Sequence, residues 1–205
     1  MPRIRAATIG EHKSLVRAGL LDSARRLIEE EETAEISLAE VALAAGVGRT
    51  TFYDYFTDRD DVIACLVEDE LPVILDELIG SVDQSLPVRE RLALLATKTI
   101  EFVATDRVFG VILHREVGKL GLEAQARIRD SHSMLSSEMT SIYALGVEEG
   151  VFRAMPARVA GRLIQDTIMS GARLLIADPG DMASVVAHVR DFLIGGLVRP
   201  SLTPR

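Results

Sequence analysis

Apolar residues recur at spacings of three and four along almost the whole chain, and this pattern decides the fold class. Leu20, Ala24, Leu27 and Ile28 form one stripe, Ile128, His132, Leu135, Met139 and Ile142 a second, and Val185, Val189, Phe192 and Leu193 a third. That period belongs to a helix, whereas a half-buried strand alternates every second residue. No such alternation rich in Val, Ile, Thr and aromatics occurs, and neither Asn-Gly nor Asp-Gly marks a hairpin. The expected fold is all-α.

Turn-forming residues divide this pattern. Helices are predicted at 11–31, 38–45, 49–55, 59–83, 88–104, 107–118, 122–148, 157–177 and 182–197. The breaks fall at Ala45-Gly46-Val47-Gly48, Ser85-Leu86-Pro87, Thr105-Asp106, Gly121, Gly150 through Pro156, and Asp178-Pro179-Gly180-Asp181. Ser37 and Asp181 are expected N-caps, and Glu40 stands three residues after Ser37, as a capping box requires. Short elements dominate before about residue 56 and long ones follow. The expected organisation is a small N-terminal head, 1–58, joined to a larger helical body, 59–205.

Composition narrows the partners. With 48% hydrophobic residues in 205, the chain can bury a core without covalent staples. Its one cysteine, Cys65, closes no internal disulfide and builds no cysteine-pair zinc site. Charges at Arg3, Arg5, Glu11 and Lys13 interrupt the first residues, so no secretory h-region is read there. No apolar run approaches the ~20 residues of a membrane span. A cytoplasmic location without a membrane partner is expected. The net charge of −8 argues against a nucleic-acid partner on its face. Phosphate attraction acts over a Debye length of ~8–10 Å, however, so a local basic patch outweighs a distant acidic total. The run Glu29-Glu30-Glu31-Glu32 reads as a solvated helix end.

Catalytic constellations are missing from the sequence. His114 and Glu116 are two apart on a helix and face different ways, and no His-Glu-x-x-His, Gly-x-Ser-x-Gly or phosphate-loop pattern occurs. His114, His132 and His188 are too scattered for a metal site. Neither an enzyme, a cofactor nor a metal is expected.

The informative stretch runs from Ser37 to Val62, SLAEVALAAGVGRTTFYDYFTDRDDV. A short helix ending near Ala45 meets a turn at Gly46, and a second short helix follows at once, the grammar of a helix-turn-helix. Gly46 tolerates positive φ, while Val41, Ala42, Ala45, Val47, Phe52 and Phe56 are the apolar spacers that fix the crossing.

These residues resemble the DNA-binding region of the TetR family of transcriptional regulators. The resemblance rests on Leu20-Leu21-Asp22-Ser23-Ala24, Ser37, Val41-Ala42, Ala45-Gly46-Val47, Thr51-Phe52-Tyr53-Asp54-Tyr55-Phe56 and Arg59, and covers about the first third of the chain. There are departures. Gly48 replaces the Ser or Thr that often opens the recognition helix, at a capping cost of a few tenths of a kcal/mol. Glu32 stands where the family usually has glycine. Asp54 puts a carboxylate on the recognition helix, where it faces solvent between phosphates, accepts from a cytosine N4, or orders Arg49 or Arg59.

The resemblance implies a three-helix head that binds double-stranded DNA. Arg49 and Thr50 then face base edges, because Arg grips guanine O6 and N7 and a Thr methyl meets a thymine methyl. Thr51 lies close by, while Ser37, Tyr53, Tyr55 and Arg59 suit phosphates. Arg3, Arg5 and Lys13 would form a basic arm. The family's later helices dimerise and often enclose a small-molecule effector. Gly171, Ala172, Val185, Val189, Phe192 and Leu193 are the expected dimer contacts, since small residues allow close helix approach. Phe102, Phe109, Leu113, His132, Met139, Gln165 and Met169 are the effector-pocket candidates. The implied function is a ligand-responsive homodimeric repressor at a palindromic operator. The alternatives are a DNA-binding activator and a helical ligand-binding or interaction module that has lost DNA affinity.

Overall fold

The computed structural model describes residues 9–199. Ten α-helices follow one another among them: α1 Ile9–Glu31, α2 Leu38–Ala44, α3 Arg49–Phe52, α4 Arg59–Gly80, α5 Val88–Thr105, α6 Arg107–Val111, α7 Leu122–Ser131, α8 Ser133–Glu148, α9 Ala157–Ala177 and α10 Met182–Leu197. The all-α expectation holds, with one short antiparallel bridge between Phe152 and Val198 among the described residues.

Four expected helices end or break earlier than their apolar periods suggest, among them the one expected over 59–83, which stops at Gly80. The helix expected over 49–55 regularises only as far as Phe52, with 53–55 as a turn. The stretch 122–148 is two helices, because the backbone at His132 tightens to a three-residue bond onto the Arg129 carbonyl at 3.2 Å. Ser131 and Ser133 flank that break, and serine favours helix ends over interiors. Between 107 and 118, α6 gives way to a π-helical turn, Ile112–Glu116, and then to a 3-10 turn, Val117–Lys119. The widened turn admits one extra residue per bond and shifts every later side chain off the α-helical stripe.

The chain forms two compact units, one of residues 1–70 with 107–128 and the other of 71–106 with 129–205. The division differs from a boundary at 58/59: α4 contributes to both units, and the segment from α6 into α7 folds with the N-terminal helices. In the second unit α5 packs against α8, α9 and α10 around a core that includes Leu92, Leu95, Ile142, Ile164 and Ile168. Tyr143 ties down the link into α9, donating to the Arg153 carbonyl at 2.9 Å and accepting the Met155 N–H at 3.0 Å. Asp181 caps α10 as expected, accepting the Ser184 N–H at 3.2 Å.

In the first unit, acidic residues near the start of α4 hold the helix at both its local turn and its distant neighbours. Asp58 accepts the Asp61 N–H at 2.8 Å, and Asp61 Oδ2 accepts the Thr57 N–H at 2.9 Å, so Asp58 caps one open N–H of the first turn while Asp61 ties back the residue that precedes Asp58. Asp61 Oδ1 also accepts Arg127 of α7 at 2.7 Å. The same guanidinium grips Glu68 through Nε and Nη2 at 2.8 and 2.5 Å, the bidentate geometry that arginine and carboxylate share. Asp60 accepts the Gly121 N–H at 2.7 Å. Further along α4, Arg17 and Arg25 of α1 pair with Asp69 and Glu70.

Burial alone would raise the Asp61 carboxyl, but the hydrogen bonds from Arg127, Thr57 and Cys65 outweigh it and hold its pKa below the ordinary carboxylate range. Its contribution to stability is therefore complete above the unfolded value of about 3.9 and disappears as pH falls through the lower folded value. Thermal unfolding followed across that acid range is expected to show a steep loss in the native protein and a shallower one in Asp61→Asn, from a lower neutral-pH starting point. A second expectation concerns the end of α1. Glu32 sits there at φ 51°, in the left-handed region that costs a side-chain-bearing residue about 1 kcal/mol. Its exposed pairing with Arg107 at 3.5 Å offsets little of that. Chemical denaturation of Glu32→Gly should show a gain of about 0.5–1 kcal/mol.

Candidate nucleic-acid interface

Gly46 makes the turn between α2 and α3, at φ +70°, a conformation that few side chains tolerate. The turn closes on itself through N–H bonds from Ala45 to Val41, from Gly46 to Leu43 and from Val47 to Ala42, each 3.0 Å. Val41 and Ala42 are buried beneath it. Gly48 then caps α3 with its backbone alone, its carbonyl accepting the Phe52 N–H at 3.1 Å. Ser37 occupies the N-cap of α2 as expected, and its N–H donates to the Glu40 carboxylate at 3.3 Å.

Burial sets which face of α3 is presented. Phe52 and Phe56 are 0% and 1% exposed, with ring centroids 5.6 Å apart. The Arg17 guanidinium lies over the Phe56 ring at 5.8 Å. Although α3 proper ends at Phe52, the bonds from Tyr55 and Phe56 to the Phe52 carbonyl, at 3.0 and 3.2 Å, carry the helical winding on to Phe56. The other residues sort around this inward stripe. Arg49, Thr50, Tyr53 and Asp54 are exposed, while Thr51 and Tyr55 are half-buried.

Arg49, Thr50, Thr51, Tyr53 and Tyr55 therefore lie on one short winding, backed by the two phenylalanines. Tyr53 also sets its ring edge-on to Phe52, with centroids 5.6 Å apart, which fixes the phenol at the surface. Arg59 is half-buried and turned to Asp60, with Nη2 to Oδ1 at 3.3 Å. Lys13 is exposed on α1, and Arg3 and Arg5 lie outside the described residues. The sequence reading missed Arg127, Asp60, Asp61 and Glu68, which anchor the helix that follows the interface. Only the acidic first turn of α4 was visible as a signal, since carboxylates suit a helix N-terminus.

The remaining candidates are dispersed. Phe109 and Leu113 belong to the first unit, and Phe102, His132, Met139, Gln165 and Met169 to the second. Met139 is buried, Phe102, His132 and Met169 are half-buried, and Gln165 is exposed. Of the dimer candidates, Ala172 and Leu193 are packed inside their own unit at 0% and 4% exposure. Gly171 is buried too, and a Cβ there would stand 2.9 Å from a Val189 methyl, so its lack of a side chain serves the α9–α10 crossing. Val185 and Val189 are half-buried, and Phe192 is 74% exposed. Phe192 borders an open apolar groove that Leu163, Leu174 and Val189 also line, with Asp166 and His188 beside them.

Among the described residues, no helix is long and apolar enough to cross a membrane. Comparison with known proteins gives matches over most of the chain. The fatty acid metabolism regulator protein of Bacillus subtilis (strain 168) is 20% identical over 181 residues, covering 87% of this chain and 93% of that protein. The crystal structure of the transcriptional regulator FadR from Bacillus subtilis in complex with stearoyl-CoA superposes with a TM-score of 0.75 at 20% identity, over 87% of this chain and 98% of that one. A transcriptional regulator from Saccharomonospora viridis in complex with choline superposes with a TM-score of 0.73 at 18% identity, over 91% of this chain and all of that one, 100%. These likenesses show the fold. Residues 20–65 match the family described as bacterial regulatory proteins, tetR family, and residues 85–173 match the tetracyclin repressor-like C-terminal domain. Two matches in succession, one across the Gly46 turn and its flanking helices and one across the helices later in the chain, make this protein a member of the TetR family of bacterial transcriptional regulators.

Proposed function

We propose that the protein is a homodimeric, effector-responsive repressor that reads a palindromic operator. The observation that carries this reading is the exposed winding of Arg49, Thr50 and Tyr53 held against the buried Phe52 and Phe56. A rigid short helix with a cation and a methyl-bearing side chain at its N-terminal end suits the floor of the major groove. Arg49 would grip guanine O6 and N7, and Thr50 would meet a thymine methyl. Thr51 supports them from its half-buried position. Ser37, Tyr53 and Tyr55 carry hydroxyls that donate to phosphates and fix the register without reading sequence. Arg59 reaches a phosphate by exchanging its Asp60 partner for the DNA.

Dimerisation supplies the second recognition helix. The groove on α9 and α10 leaves Leu163, Leu174 and Phe192 exposed at 50%, 60% and 74%, the kind of apolar surface that a second copy covers by two-fold symmetry. Val185 and Val189 border that contact. The effector belongs to the helical body, where Phe102, His132, Met139 and Met169 offer adaptable apolar and polar contacts. Two proteins of this fold carry ligands as unlike as stearoyl-CoA and choline, so the fold by itself does not select the effector's chemistry. Release requires that the effector prefer the conformation with lower operator affinity, a coupling of about 1–3 kcal/mol in typical cases. No step of this reading is catalytic.

Selection from random duplex DNA at near-physiological salt should enrich a palindrome with half-sites about one helical turn apart. Arg49→Ala should lower affinity by about 1–3 kcal/mol and relax preference at one base position per half-site. Enrichment of no motif by the folded dimer would sink the regulator reading. Phe192→Asp places a charge on the exposed groove, so helical circular dichroism should stay unchanged while self-association weakens by about 2 kcal/mol or more. Sedimentation at matched concentrations would show it, and operator binding should weaken in parallel.

A further inference from the structure

The winding that carries Arg49 and Thr50 also carries a carboxylate, and its position is specific. At about 100° per residue, positions two before and two after Phe52 lie on the side of the helix opposite the buried ring. Those positions are Thr50 and Asp54, and both are exposed. The Asp54 N–H bonds the Thr51 carbonyl at 3.2 Å, so the residue is still on the winding and has not turned away into a loop. Asp54 thus shares the outermost stripe with Thr50, the stripe that enters a groove deepest.

The carboxylate is not neutralised by either neighbouring arginine. Arg59 is turned to Asp60 through Nε and Nη2 at 3.4 and 3.3 Å. Arg49 lies five positions away, about 140° around the helix. The sequence left open whether Asp54 orders one of these arginines, and the structure removes that choice among the described residues.

A carboxylate on such a stripe meets repulsion from phosphates on both sides unless something in the groove floor donates to it. Ionised, it only accepts hydrogen bonds. In the major groove the only base-edge donors are the cytosine N4 and adenine N6 amines. Adenine presents its N7 acceptor beside N6, which a second carboxylate oxygen would repel, whereas the cytosine amine has no acceptor of its own base beside it in the groove. We propose that Asp54 is a specificity-determining residue that selects one cytosine in each operator half-site. This rests on the reading that α3 enters the major groove.

The test compares selections from random duplex DNA by the full-length wild type, Asp54→Ala and Asp54→Asn. Wild type is expected to enrich a motif with cytosine at one fixed position per half-site. Asp54→Ala should keep the rest of the motif, lose preference at that position alone, and bind the wild-type site roughly five- to 150-fold more weakly. Asp54→Asn, which donates as well as accepts, should shift that position toward adenine. The proposal is overturned if Asp54→Ala enriches the same base at every position, above all if it also binds every sequence more tightly, since Asp54 would then act by repulsion alone. Adenine at that position in the wild-type motif overturns the choice of cytosine. A wild type that enriches nothing overturns the operator reading together with this one, whereas a wild-type motif indifferent to Asp54 overturns this one alone.

Discussion

A helix of four residues cannot hold itself in water, since nucleation costs more than its few backbone bonds return and isolated helices shorter than about 12–15 residues are marginal. The exposed winding of Arg49, Thr50 and Tyr53 therefore depends on burial of Phe52 and Phe56, 0% and 1% exposed. The two rings fix the roll of the helix about its axis, and the roll decides which side chains face outward. Gly46, at φ +70°, sets the direction from which α2 delivers the chain to that packing. Any loosening of the phenylalanine pair would blur all of the contacts at once, because every outward residue is positioned by the same inward stripe.

The acidic balance of the chain looks different once its pairs are known. Asp61 and Glu68 share Arg127, while Asp69 and Glu70 take Arg17 and Arg25. Three guanidinium charges thus offset most of the charge on these four carboxylates, and what remains extends little repulsion beyond a Debye length. The same pairing withdraws three arginines from any general basic patch, so phosphate attraction has to come from a small number of exposed groups. The net charge of −8 is a sum over the whole chain, whereas attraction to phosphate falls off within a Debye length and depends on the local groups.

Much of this was legible in the sequence because it is local. The Gly46 turn, the Asp181 cap and the full extents of α9 and α10 follow from rules that span four or five residues. The early stop of α3 at Phe52, the break at His132 and the π-helical turn from Ile112 to Glu116 did not follow, because in each the apolar period continues while the backbone departs from it. Arg127 was invisible for a different reason. Its partner Asp61 is 66 residues away, and nothing in either neighbourhood marks the pairing. Among the interface candidates, the structure brings Arg49 through Tyr55 onto one winding, but it also shows Arg59 already paired with Asp60. Ala172 and Leu193 illustrate the remaining ambiguity: an apolar residue at helical spacing reads the same whether it faces its own core or a partner, and only burial separates the two.

That separation has a consequence for α9 and α10. Each helix carries two apolar stripes, and the inward one, with Ile164, Ile168, Leu193 and Ile194, is consumed by the core of its own unit. Gly171 leaves the space that the Val189 side chain fills, so the two helices cross closely with only that side chain between them at this point. The second stripe, Leu163, Leu174 and Phe192, is thereby left outside at a crossing already fixed from within. A surface whose geometry is set by an internal packing contact is preorganised, and two identical copies can meet there by a two-fold axis without either rearranging. In the proposed dimer the cost of ordering this surface would then be met during folding of each chain, and association would have mainly desolvation and lost rigid-body freedom to offset.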